Sequence, residues 1–291
     1  GWIEGTTVAS IILGTVLGGV LISPHVAPWL LSFDLPFIDT HIDTPAEAAV
    51  VVTIGIYALA ALFNLRIPDT GARYPGRTSN PFTLLRIFWH CNLTLWRDPL
   101  GQIALAVTTL FWGAGASLQF LVLKWAEHQL DMRLDQATRL QGVVALGVPL
   151  RRSLRVLPLG VAMGFAIMLM TIVHNEAMAM LVLLVIGILS GFFVVPMNAL
   201  LQHRGYVVMS AGNSIAVQNF NENLNILVML SFYALMLWLD LPINTVAVLF
   251  GLAVASVMLL VILWHRRNQR RFDSEVHIGE DPRHGNIPTP H

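Results

Sequence analysis

Long uncharged apolar runs, separated by short polar breaks, dominate this chain. The runs cover residues 5–33, 48–65, 99–123, 156–175, 177–203, 223–239 and 241–265, and 205–221 joins 223–239 across the single charge of Glu222. A bilayer core takes about 20 apolar residues of helix. Read with the Pro, Asp and Gly breaks, the pattern predicts helices near 6–22, 46–65, 101–125, 155–173, 177–201, 210–238 and 242–264. An open sheet edge would leave its backbone unsatisfied in lipid, so the spans are helical.

Arginine placement orients them, because Lys and Arg near span ends favour the cytoplasmic side. The 23–45 connection holds Asp34, Asp39 and Asp43 without Lys or Arg, and reads as outside. The 66–99 connection holds Arg66, Arg73, Arg77, Arg86 and Arg97, and reads as inside. Arg151, Arg152 and Arg155 mark an inner segment, Glu176 and Asp240 outer turns, His203 and Arg204 an inner turn, and Arg266–Arg271 an inner tail.

One crossing is missing from this scheme. The third span emerges outside near Glu127, yet Arg151–Arg155 must be inside. The apolar material between them, Leu140–Val148, would span roughly 14 Å of a core roughly 30 Å thick. Charge parity therefore predicts a shortened eighth helix there, with both chain ends cytoplasmic. The inner connection also predicts an amphipathic interfacial helix over Pro81–Pro99. In it Phe82, Leu85, Phe88, Trp89, Leu93 and Trp96 alternate with Arg86, His90, Asn92 and Arg97.

Composition agrees. Of 291 residues 55% are hydrophobic and 12% charged, about half the charge of a soluble domain, and mean hydropathy is +0.67. The zero formal net charge argues against nucleic acid as a partner. Cys91 stands alone, and the ten histidines show no HxxxH or HxH pair, so no metal site is expected. No Walker loop, GxSxG or HExxH motif appears, so neither an enzyme nor a cofactor is expected.

Chemistry concentrates in one span. At 100° per residue, Ser214, Gln218, Asn221, Glu222 and Asn225 share one face, with Asn213, Asn219 and Asn223 off it. Such a face looks into protein or a wet cavity, and an ionisable residue inside a span points to function. Glu222 is the lead substrate-binding candidate, as a counter-charge to a cationic headgroup or as a titrating gate. Gln119, mid-span, and Asn198 are further candidates, with Pro196 and Gly191 as kink or gating positions. Gly14, Gly18 and Gly19 in the first span, and Gly113 and Gly115 in the third, predict close helix contacts.

Two long motifs are familiar. Gly191-Phe-Phe-Val-Val-Pro-Met-Asn-Ala-Leu-Leu-Gln-His-Arg-Gly205 and Ser210-Ala-Gly-Asn-Ser-Ile-Ala-Val-Gln-Asn-Phe-Asn-Glu-Asn223 resemble the bacterial lysophospholipid transporter family of the major facilitator superfamily. Leu110-Phe-Trp-Gly-Ala-Gly115 and the 4–20 segment fit the same pattern. The resemblance runs from the first residue to about Arg267, although the family carries an arginine where this chain has Gln119.

It implies an all-α, polytopic transmembrane bundle of the major facilitator type, here about eight helices of an expected twelve, with Gly1 near the start of the fifth. Residues 1–66 would be the last two helices of the N-terminal half-bundle and 67–99 a cytoplasmic connector. Residues 100–265 would be the C-terminal half-bundle, and 266–291 a disordered cytoplasmic tail. The implied activity is inward movement of lysophosphatidylethanolamine and lysophosphatidylglycerol across the bacterial inner membrane. A partner acyltransferase/acyl-carrier-protein synthetase would then re-acylate them, and membrane lipids would surround the bundle. Residues alone leave two alternatives: an exporter of a small polar solute, or a non-transporting membrane subunit derived from a carrier.

Overall fold

The computed structural model describes residues 2–32, 44–67, 80–132 and 157–271, and every regular element among them is helical. In chain order these are α1 (Trp2–Leu21), α2 (Ala27–Leu31), α3 (Pro45–Asn64), α4 (Pro81–Arg97), α5 (Gly101–Leu130), α6 (Leu157–Leu169), α7 (Glu176–Val208), α8 (Ala211–Trp238) and α9 (Ile243–Arg271). A 3₁₀ turn at Met170–Ile172 extends α6. The expected eighth crossing at 140–148 lies outside the described residues, as do Asp34–Asp43, Arg73, Arg77, Arg151–Arg155 and 272–291.

Local chemistry sets the helix starts. Thr44 and Glu47 form a reciprocal capping box, and Pro45 takes the first helical position, where its missing N–H costs nothing. Asn175 Oδ1 accepts from Met178 N at 2.8 Å and opens α7. Between α4 and α5, Pro99 pushes Asp98 into extended backbone. The Asp98 carboxylate then accepts from Gly101 N at 2.7 Å, so one residue ends α4 and caps α5.

Five helices among the described residues are long and apolar enough to cross a membrane: α3, α5, α7, α8 and α9; α6 with its 3₁₀ turn is shorter. The protein is thus a polytopic membrane bundle. Of α5's apolar window 56% is buried, against 6% for α3. α5 is therefore the hub of the packing, while α3 presents Val50, Ile54, Tyr57 and Phe63 outward.

Two apolar cores lie along the bundle. The larger joins α5, α6, α7, the far half of α8 and α9, through Trp125, Ile167, Leu183, Phe193, Met229, Tyr233, Phe250 and Val254. The smaller sits at the end carrying Arg204. There Cys91 and Leu95 of α4 meet Ala104 and Leu105 of α5, Leu200 and Leu201 of α7 and Val217 of α8.

Three expectations change in the structure. Arg204 is not in a turn: α7 continues to Val208, and Arg204 is buried in its last turns. α9 runs through its arginines to Arg271 instead of ending near 264. Gly14, Gly18 and Gly115 face open space, so they mark no close helix contact among the described residues.

Candidate functional site

On α8, Val217 belongs to the small core and Met229 to the large one. Along α8 the polar residues Gln218, Asn221, Glu222 and Asn225 lie between those two positions. Ser214, Asn221 and Glu222 are buried, Gln218 and Asn225 half-buried, and Asn219 and Asn223 exposed, as the helical period predicts.

Glu222, Gln218 and Asn198 come together. Gln218 Nε2 donates to Glu222 Oε1 at 2.8 Å, one turn along α8, and to Asn198 Oδ1 at 3.0 Å on α7. One amide thus uses both its protons to join two helices. Glu222 Oε2 remains as an acceptor and Asn198 Nδ2 as a donor, since no further bond engages them among the described residues. Nor does any Lys, Arg or His lie in ion-pair range of Glu222 there. Burying a carboxylate without a cation costs several kcal/mol, a cost that a positive or strongly donating group at Oε2 would offset.

Pro196 lies buried on α7 two residues before Asn198 and has no N–H for the Phe192 carbonyl, which frees a backbone acceptor near the cluster. Gly191, half-buried, lies further back on the same helix.

The other candidates sit at separate points. Asn225 Nδ2 donates to the Thr109 carbonyl of α5 at 2.8 Å. Ser214 packs so closely on Gly205 of α7 that a Cβ there would overlap its hydroxyl. Asn221 turns to α4, where its Nδ2 donates to Asn92 Oδ1 at 2.8 Å and its Oδ1 accepts from Trp96 Nε1 at 3.1 Å. Gln119 is exposed on α5, about 15 Å along the helix from Thr109, and does not join the cluster.

Sequence reasoning missed Asn92, Trp96, Asp98 and the role of Arg204. Asn92 was expected on the wet side of an amphipathic helix, yet it is 6% exposed and faces protein, while Phe82 is 81% exposed. The ion pair is tight: Arg204 Nε meets Asp98 Oδ2 at 3.0 Å and Nη2 meets Oδ1 at 2.5 Å.

No family model matches the chain, and no solved structure matches it. It is 34% identical to the lysophospholipid transporter LplT of Escherichia coli O157:H7, over 92% of this chain and 66% of that protein. It is 39% identical to the lysophospholipid transporter LplT of Yersinia enterocolitica serotype O:8, over 84% of this chain and 58% of that protein. The chain therefore spans just under two thirds of the length of the curated relatives it matches.

Proposed function

The chain is a homologue of the lysophospholipid transporters, and from that premise we propose that it works within a carrier moving lysophospholipids across the bacterial inner membrane. In this reading both ends of the chain are cytoplasmic. Residues 1–66 belong to one half-bundle and 100–265 to the other, with 67–99 connecting them. The halves rock about a site near the bilayer midplane.

The observation that carries the reading is the Glu222–Gln218–Asn198 cluster between α7 and α8, with Glu222 buried and its two partners half-buried. Glu222 Oε2 receives the ammonium of an ethanolamine headgroup or the hydroxyls of a glycerol one. Asn198 Nδ2 donates to the headgroup phosphate. A lysolipid has one acyl chain, which lies along the apolar walls or in lipid while the headgroup crosses. Pro196 gives α7 a point at which to bend as the site changes sides. The delivered lysolipid is then substrate for an acyltransferase/acyl-carrier-protein synthetase on the cytoplasmic side.

The test is uptake of labelled lysophosphatidylethanolamine into spheroplasts making the protein from its own gene. Glu222→Gln and Gln218→Ala are each expected to lower uptake by about tenfold, the usual effect of losing a bond to a charged group. Wild-type uptake in both variants would remove this site from consideration.

A further inference from the structure

From Asn92 to Asp98 the end of α4 reaches three different helices. Asn92 and Trp96 hold the two ends of the Asn221 amide on α8. The Trp96 ring stacks on Trp264 of α9, with centroids 6.3 Å apart and planes 6° from parallel. Asp98 pairs with Arg204 of α7 through two bonds.

Asn221 has neither amide proton left for a substrate. Its Nδ2 also donates to the Val217 carbonyl at 2.8 Å, and the residue is 7% exposed. Its side chain serves α4, while its chain neighbour Glu222 serves the cluster. The small core beneath α4, seven buried residues among those described, closes the Arg204 end of the α8 polar face. An element held by so few apolar contacts opens at lower cost than one in the main core.

We infer that Asn92 and Trp96 form a latch on Asn221, and that release of α4 from it opens the Glu222–Gln218–Asn198 cluster toward the Arg204 end of the bundle. The inference rests on the reading of that cluster as the headgroup site. Asn92 and Trp96 are then positioning residues, acting through Asn221 without touching the lysolipid. The latch fixes whether the site faces that end, so it governs turnover and leaves headgroup affinity alone.

Cys91 provides the probe. It is the one cysteine of the 291 residues, adjoins Asn92, and is 9% exposed under α4. The experiment measures N-ethylmaleimide alkylation of Cys91, read by mass spectrometry of its peptide, in membrane vesicles carrying the protein made from its own gene. Trp96→Phe keeps a ring for Trp264 and loses the N–H to Asn221. Asn92→Ala removes the other bond, and carries the test should Trp96→Phe fail to reach the membrane.

Without lysolipid, both variants are expected to alkylate about fivefold faster than wild type, the population shift of one lost hydrogen bond. Their turnover changes by a similar factor while KM for lysophosphatidylethanolamine stays at the wild-type value. Wild-type alkylation rates overturn the latch. So does faster alkylation with unchanged turnover, which makes the α4 contact structural only, and so does a change confined to KM. Failure of the headgroup site reads differently: Glu222→Gln then transports like wild type, whatever Cys91 does in the α4 variants.

Discussion

Asn225 of α8 lies in the notch that Gly113 leaves in α5, with its amide donating to the Thr109 carbonyl and a Cβ at position 113 certain to overlap it. The two helices approach at this point because one residue has no side chain and the other satisfies its amide on the partner's backbone. α5 is the most buried of the spans, so the spacing set here governs how the α8 polar face meets the rest of the bundle.

Gly113→Ala should destabilise the protein by roughly 1–3 kcal/mol, since the added methyl forces the α5–α8 pair apart in a close-packed region. Asn225→Ala vacates the space, so the double variant should recover part of that loss. Thermal unfolding of the purified protein in detergent measures both. Strict additivity of the two single effects would show that residues 113 and 225 do not share the notch.

The helices were legible because a bilayer demands apolar runs of one length, and the face carrying Ser214, Gln218 and Glu222 was legible from its 3.6-residue period. The orientation of α4 was legible only in part. Arg86, His90 and Arg97 are exposed as the amphipathic pattern predicts, but Asn92 is buried because Asn221, distant in the chain, satisfies its amide oxygen, and Phe82 is exposed. Arg204 misled for a related reason. A charge breaks a span in sequence terms, but Asp98, distant in the chain, neutralises it and lets α7 continue. Glycine spacing guided only in part: Gly113 makes the close contact it predicts, with Asn225 of α8, whereas Gly14, Gly18 and Gly115 face open space, and Gly164 and Gly251 meet only through tertiary packing.

That contrast is testable. A Cβ on Gly164 would lie 2.6 Å from the Gly251 carbonyl oxygen and 2.7 Å from Ala255 N, both backbone atoms that cannot swing away. Gly164→Ala should therefore cost roughly 1–3 kcal/mol by pushing α6 off α9. Gly18→Ala should lie within about 0.5 kcal/mol of wild type, or stabilise slightly, because it adds a better helix former in open space. Equal melting temperatures for the two variants would show that α6 and α9 do not pack glycine to glycine.

Arg204 and Asp98 should be unequal to their surface counterparts. Their side chains are 10% and 9% exposed, so Arg204→Met strands a buried carboxylate and should cost roughly 3 kcal/mol. Asp98→Asn paired with Arg204→Met removes both charges and keeps an oxygen to cap Gly101, so it should regain most of the loss. Heat-induced loss of folded protein in detergent decides it. A single Arg204→Met variant that melts like wild type would mean the pair is in effect solvated.

Headgroup selectivity gives the sharpest prediction about the site. Glu222→Gln keeps the shape of the side chain and an oxygen for Gln218 Nε2, so packing between α7 and α8 should hold. What it removes is the negative charge. An ethanolamine headgroup presents an ammonium, whose charge-assisted bond to a carboxylate is about twice as strong as one to a neutral amide oxygen. A glycerol headgroup presents only hydroxyls, which bond acceptably to either. Uptake of lysophosphatidylethanolamine should therefore fall by about tenfold more than uptake of lysophosphatidylglycerol, measured side by side in spheroplasts. An equal fall for both headgroups would place Glu222 in the gating of the bundle, and no fall for either would leave it a structural carboxylate held by Gln218.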